Sequence, residues 1–328
     1  MSDTTQTLAV QTSGLTKQYK TTLAVNNVDI QVPAGCCCGF LGKNGAGKTT
    51  TIKMLVGLIR PSSGSIKLMG QPQEFGGTLQ TSAVFGYLPD VPNYYGYMKA
   101  EEFLMLCAQI CKIPTGEAKQ RIKELLQLVG LKTRTTISGY SRGMKQRLGI
   151  AQAMINRPQI IFMDEPMSAL DPMGRKDVSE IIQSLKGTTV IFSTHILADI
   201  ETVCDYILII EKGKLVTQDN MANLRRRYSE NTAKIRLYNE GEARNFFEKA
   251  KAAGIAIQEE TPVEFLLTAT DGQNENLSRA ATGIIHANSL AVESFAAHSP
   301  SLEDIFYKEI GVVKNESLHA TEGVVLNV

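Results

Sequence analysis

Short apolar runs recur along the chain: CCCGFL at 36–41, and three that end in a polar or charged residue, IIFMDE at 160–165, TTVIFST at 188–194 and YILIIE at 206–211. Runs of this length, apolar without alternation, suit strands covered on both faces, as in a parallel sheet flanked by helices. Helical spacing fills the intervals. Residues 50–58 can continue as a helix, residues 101–111 carry Phe103, Leu104, Leu106, Cys107 and Ile110, and residues 117–129 carry Ile122, Leu125, Leu126 and Val129. The last two stripes read as core of a helix-rich section at about 91–157, inserted between FGYLPD and PQIIFMDE. This alternation predicts an α/β domain over 1–216, a mostly parallel sheet with helices on its faces.

From about residue 217 the pattern changes. A basic, helical stretch, MANLRRRYSE, marks a linker at 217–231. Beyond it comes strand AKIRLYN, helix EARNFFEKAKAAG, strands IAIQEE and VEFLLTAT, helix ENLSRAATGIIHA, strand LAVESFAAH and helix SLEDIFYKEIG. That order fits a smaller C-terminal α+β domain of ferredoxin-like type over 232–312, with 313–328 a flexible tail. No site-like cluster marks it, so it reads as an interaction or dimerisation module. Arg225, Arg226 and Arg227 read as a solvated helix face.

At 328 residues the chain is long enough for two domains. Hydrophobic residues make up 43%, charged residues 20%, and the net charge is +1, so no global field draws it to nucleic acid or anionic lipid. No apolar run reaches the length of a membrane span. The N-terminus lacks the basic start and apolar core of a signal peptide, which points to the cytoplasm. Six cysteines at 36, 37, 38, 107, 111 and 204 include no C-x-x-C pair. Adjacent strand residues face opposite ways, which keeps 36–38 from converging on one metal, while Cys107 and Cys111 can share the apolar face of a helix. All six read as reduced, packed thiols.

The chemistry begins at 39–58, GFLGKNGAGKTTTIKMLVGL. Gly42, Gly47, Lys48 and Thr49 fit G-x-x-x-x-G-K-[ST], between a strand and a helix. In such a loop the glycines turn backbone N–H groups onto phosphate oxygens, the lysine reaches the outer phosphates, and the threonine hydroxyl ligates Mg2+. The run IIFMDE presents Asp164 for the metal shell and Glu165 to polarise an attacking water.

Between these lies YSRGMKQRLGIAQAMINRP, and after them come SALD and STH. In this order the set closely resembles the ATP-binding cassette (ABC) ATPases, over about residues 8–216. The resemblance implies a P-loop fold that binds ATP and Mg2+. It makes Gly42 to Thr50 the Walker A loop, with Asn44, Gly45, Ala46, Gly47, Lys48, Thr49 and Thr50 around the phosphates. Ser141-Arg142-Gly143-Met144 resembles the signature, its Ser141 and Gly143 gripping a γ-phosphate. Asp164 becomes the Walker B carboxylate, Glu165 the catalytic base, Ser168 to Asp171 the D-loop, His195 the switch histidine and Tyr19 the aromatic that stacks on adenine.

Two positions depart from the commonest family pattern. Arg142 replaces a signature glycine, a form similar to many export-type members. Asp90 stands where the family usually has glutamine; it is a metal-ligand candidate whose shorter arm can require a bridging water.

In the family one subunit's signature closes on the nucleotide of another, so the resemblance implies a pair with a second copy or a homologous ATPase subunit. It also implies a separate transmembrane permease, docked near Tyr94, Tyr95 and Tyr97, and a peripheral place on the inner face of the cell membrane. The expected function is to power that permease, for export. A soluble ABC ATPase acting on nucleic acid or ribosomes is the alternative; neither a second P-loop nor heptads support it, and no nucleic acid is expected. A third reading, prompted by Asp90 and Arg142, is a nucleotide-binding regulator without turnover.

Overall fold

The computed structural model describes residues 7–73, 75–76, 84–131, 135–229, 232–269, 277–297 and 301–309. They divide into two compact units between Asp219 and Asn220.

The first unit is built on a six-stranded sheet of β4 (Cys37–Leu41), β7 (Phe85–Leu88), β8 (Ile160–Met163), β9 (Thr189–Thr194), β10 (Tyr206–Glu211) and β11 (Lys214–Asn220), in the order β11-β10-β4-β9-β8-β7. From β10 through β7 every pairing is parallel. The apolar runs are buried throughout their lengths in β8 and β9 because each strand feeds two cores. Ile161, Met163, Val190 and Phe192 face one core with the helices α2 (Ala100–Ile110), α3 (Thr115–Leu128), α4 (Arg142–Ala153) and α5 (Pro172–Ser184). Phe40, Ile160, Phe162 and Ile191 face the other, with α1 (Lys48–Leu55).

That second core is closed by a sheet the apolar runs did not reveal. Strands β1 (Leu8–Tyr19), β2 (Thr22–Val28), β3 (Gln31–Pro33), β5 (Ser63–Leu68) and β6 (Gln71–Pro72) pair antiparallel, with Val10, Leu15, Val25, Val32 and Ile66 packed inward.

The helical stripe at 101–111 is shifted from its expected position. The core takes Ala100, Phe103, Leu104 and Ala108, while Ile110 is 65% exposed. At 100° per residue Leu106 and Ile110 fall on the far flank of a helix centred on Leu104. Cys111 would rotate back toward the core, but the helix has ended and its thiol is exposed, unlike that of Cys107, which packs against the core.

In the second unit, β12 (Thr232–Leu237), α8 (Glu240–Ala252), β13 (Ala256–Thr261), β14 (Glu264–Thr268), α9 (Leu277–Ala287) and β15 (Val292–Ala297) follow in a β-α-β-β-α-β order. The sheet runs β13-β14-β12-β15, antiparallel at every pair, which is the ferredoxin-like arrangement. Alternation is clean here: Ala233, Ile235, Leu237, Phe265 and Leu267 form a core with Phe246 and Ala281. The stretch expected as a linker at 217–231 includes the end of β11 and helix α7 (Met221–Ser229), whose Met221 and Leu224 are buried. The Tyr228 hydroxyl on α7 donates to Glu309 Oε1 (2.9 Å) on α10 (Leu302–Glu309).

Candidate active site

Adjacent parallel strands deliver their C-terminal ends to one edge, the general location of ligand sites in sheets of this kind. β4 leads into the loop at 42–47, β9 into His195, β8 into Asp164 and Glu165, and β7 into Asp90. Because β9 lies between β4 and β8, residues more than 100 apart in sequence become neighbours.

Gly47 begins α1 with φ at 112°, and a Cβ there would lie 2.6 Å from Ala24 O. A side chain is excluded by both conformation and space. The first amides of α1 lack partners within the helix, and Asn44 and Gly45 just before it are exposed, so an anion can reach this terminus. Ala46 is buried and Thr50 half-buried.

Lys48 is only 5% exposed. Its Nζ donates to Gly42 O (2.7 Å) and Lys43 O (3.2 Å), and pairs with Glu165 Oε1 at 3.3 Å. The other oxygen, Oε2, lies 3.0 Å from His195 Nδ1. An ionised carboxylate only accepts, so in that state Nδ1 carries the proton and Nε2 is left for another partner. Both Glu165 oxygens are therefore engaged.

The Thr49 hydroxyl donates to Asp164 Oδ1 (3.0 Å), which also accepts from Ser193 Oγ (2.7 Å). A hydroxyl and a carboxylate this close form a hard-oxygen donor set suited to Mg2+, which usually takes one or two protein carboxylates with waters and substrate phosphates. Among the described residues no group of three His, Cys, Asp or Glu side chains is placed to hold a metal without such help.

Other expected site residues lie apart from this cluster. Asp90 is exposed and accepts from Ser168 Oγ at 3.1 Å, with no hydrogen bond to Thr49 or Asp164. Ser141 caps α4, its oxygen accepting from Met144 N (3.2 Å), and Gly143 follows in the first turn; neither bonds to the cluster. Tyr19 is 42% exposed at the end of β1, with Lys17 Nζ 5.0 Å from its ring centroid.

Several residues escaped the sequence reading. Ser193 is fully buried, bonded to Asp164 and accepting from the Glu165 amide at 2.9 Å. Thr194 Oγ1 donates to Asp199 Oδ2 (3.2 Å), and Arg175 Nη2 binds Oδ1 of the same carboxylate at 2.6 Å. The Tyr87 hydroxyl is buried without a protein partner; burial first, then Asp164 and Asp90, push it up to about 12. Only Ser193 and Thr194 carried a signal, as hydroxyls flanking the end of an apolar strand just before His195.

Residues 25–168 match a family model described as ABC transporter. Over 301 residues the chain is 36% identical to the uncharacterised ABC transporter ATP-binding protein YxlF of Bacillus subtilis, covering 90% of this chain and 97% of that protein. It is 31% identical to the daunorubicin/doxorubicin resistance ATP-binding protein DrrA of Streptomyces peucetius, over 93% of each chain. A solved ATP-binding subunit of an ABC transporter is similar in fold, with a TM-score of 0.61 and 30% identity over 67% of this chain and 93% of that one.

Proposed function

This chain belongs to the ATP-binding subunits of ABC transporters and is an ATPase, and from that premise we propose that it powers a separate membrane-spanning permease, for export. The observation that carries the reading is the cluster of Lys48, Thr49, Asp164, Glu165 and His195 at the end of adjacent parallel strands. No described helix is long and apolar enough to cross a membrane, which supports a partner that does. Likeness to a drug-resistance ATP-binding protein along nearly the whole chain supports export.

Residue roles follow from the contacts. The nucleotide's outer phosphates take over Lys48 Nζ, now bonded to two carbonyls and Glu165. Glu165 Oε1 is thereby released to accept a proton from the attacking water, while His195 holds Oε2. Thr49 and Asp164 would hold Mg2+, with Asp90 through a bridging water; the ion supplies neutralisation of phosphate charge. Asp90 would first have to leave Ser168. Tyr19 stacks on adenine, and the amides at 44–50 cradle phosphate.

Ser141 and Gly143 make no bond to the site of their own chain, which supports their use by the nucleotide of a second copy or a homologous subunit. The assembly sits on the inner face of the cell membrane, with Tyr95 and Tyr97, 53% and 78% exposed, toward the permease. Tyr94, expected beside them, packs instead against Phe103 in the helical core and donates its hydroxyl to Lys145 O (2.7 Å). Tagging the chain in its native cell and extracting membranes in mild detergent tests this. A stoichiometric polytopic membrane protein should co-purify. Recovery only from the soluble fraction, with ribosomes or DNA, would sink the proposal.

A further inference from the structure

The backbone ladder between β8 and β9 ends at Met163 and Phe192, one residue short of the two carboxylates. What joins the strands beyond that point is a side chain. Ser193 follows Phe192, and strand alternation turns it to the same face of the sheet as Phe40, Phe162 and Asp164 rather than to the helical core.

A hydroxyl offers one proton and two lone pairs. Ser193 donates its proton to Asp164 Oδ1 (2.7 Å) and accepts the Glu165 N–H (2.9 Å), at a position with no solvent exposure. Glu165 has φ at 47°, a left-handed conformation disfavoured for a residue with a side chain and maintained only where neighbours fix it. Here its N–H is held by Ser193 and its carbonyl by the Ser168 amide (3.1 Å). Asp164 Oδ1 is saturated by Ser193 and Thr49, which sets the direction of Oδ2.

We propose that Ser193 is a positioning residue for hydrolysis: one hydroxyl fixes both the rotamer of the metal-side carboxylate Asp164 and the backbone of the base Glu165. Fully buried, it acts through its two neighbours. The inference rests on Glu165 being the base, as proposed above.

The test is a double-mutant cycle in the full chain, with ATP turnover, KM and melting temperature measured for Ser193→Ala, Glu165→Gln and the pair. Ser193→Ala should lower kcat by about 10- to 100-fold, the range seen when residues orienting a reactive shell are removed. KM for ATP should move less than about 3-fold, since ground-state binding is left alone. In the Glu165→Gln background the serine change should cost less than in the parent, because the base it positions is gone and only its hold on Asp164 is left to lose. Near-normal kcat for Ser193→Ala, or an equal loss in both backgrounds, overturns the proposal.

If Glu165→Gln alone retains turnover, the base assignment fails; if it collapses while Ser193→Ala does not, only the Ser193 inference fails. Should the alanine variant not fold by circular dichroism, Ser193→Thr, which keeps the hydroxyl, carries the test. A kcat within about 3-fold of the parent supports the role, and a folded threonine variant as slow as Glu165→Gln overturns it.

Discussion

Glu165 makes its two contacts through separate oxygens, to a lysine and to a histidine. Replacing it with glutamine keeps the shape and removes the base. Glu165→Gln should therefore lower turnover by about 10^2- to 10^4-fold while ATP still binds, measured by hydrolysis beside equilibrium nucleotide binding. A second residue-scale prediction concerns Cys36. Burial, with Asp205 and Cys37 adding, pushes its thiol up to about 12 from an ordinary 9.0. The unfolded thiol ionises first, so the contribution to stability is complete below pH 9.0 and is lost as the pH rises toward about 12. Urea midpoints should fall over that window, and less steeply in Cys36→Ala. Cys38 and Cys204 are raised by the same cause and add to the slope.

Elements meet closely where side chains are missing. Gly86 of β7 has no room for a Cβ, which would lie 1.9 Å from Ala153 O at the end of α4. Gly86→Ala must move a helix backbone, and the strain should cost about 1–3 kcal/mol, read as a lower urea midpoint with unchanged slope. Another device joins α5 to α6 (Leu197–Val203), the helix after His195: Arg175 on α5 binds Asp199 on α6, which also accepts from Thr194. Asp199 is 5% exposed, so removing its cation leaves a buried charge. Arg175→Met should cost about 1–3 kcal/mol of stability. It should also lower kcat more than it raises KM, since the turn carrying His195 loses its tie.

For the molecule as a whole, two cores in the first unit and a third in the second imply separate folding events. Calorimetry of Glu165→Gln should show two transitions, and ATP at about 100 times its Kd should stabilise only the one belonging to residues 7–219, by about 2.7 kcal/mol. A single transition shifted as one would exclude independent units.

The sequence by itself determined what local spacing encodes. The apolar runs became β4, β8, β9 and β10, and the C-terminal alternation of period 2 and period 3.6 became strands and helices in the expected order. The glycine-lysine loop was readable because its chemistry lies within a few consecutive residues. Only the tertiary structure decided what depends on distant pairing. Strands β1, β2, β3 and β5 close a core through partners that no local period announces. Helix phase, set by which side the core lies on, exposed Ile110 although its spacing fitted an apolar stripe. Asp90 faces Ser168 and Ser193 reaches Asp164, 78 and 29 residues apart respectively. Hydroxyls and acids suit loops, caps and surfaces equally well, so their partners are fixed only when strand order brings two ends together.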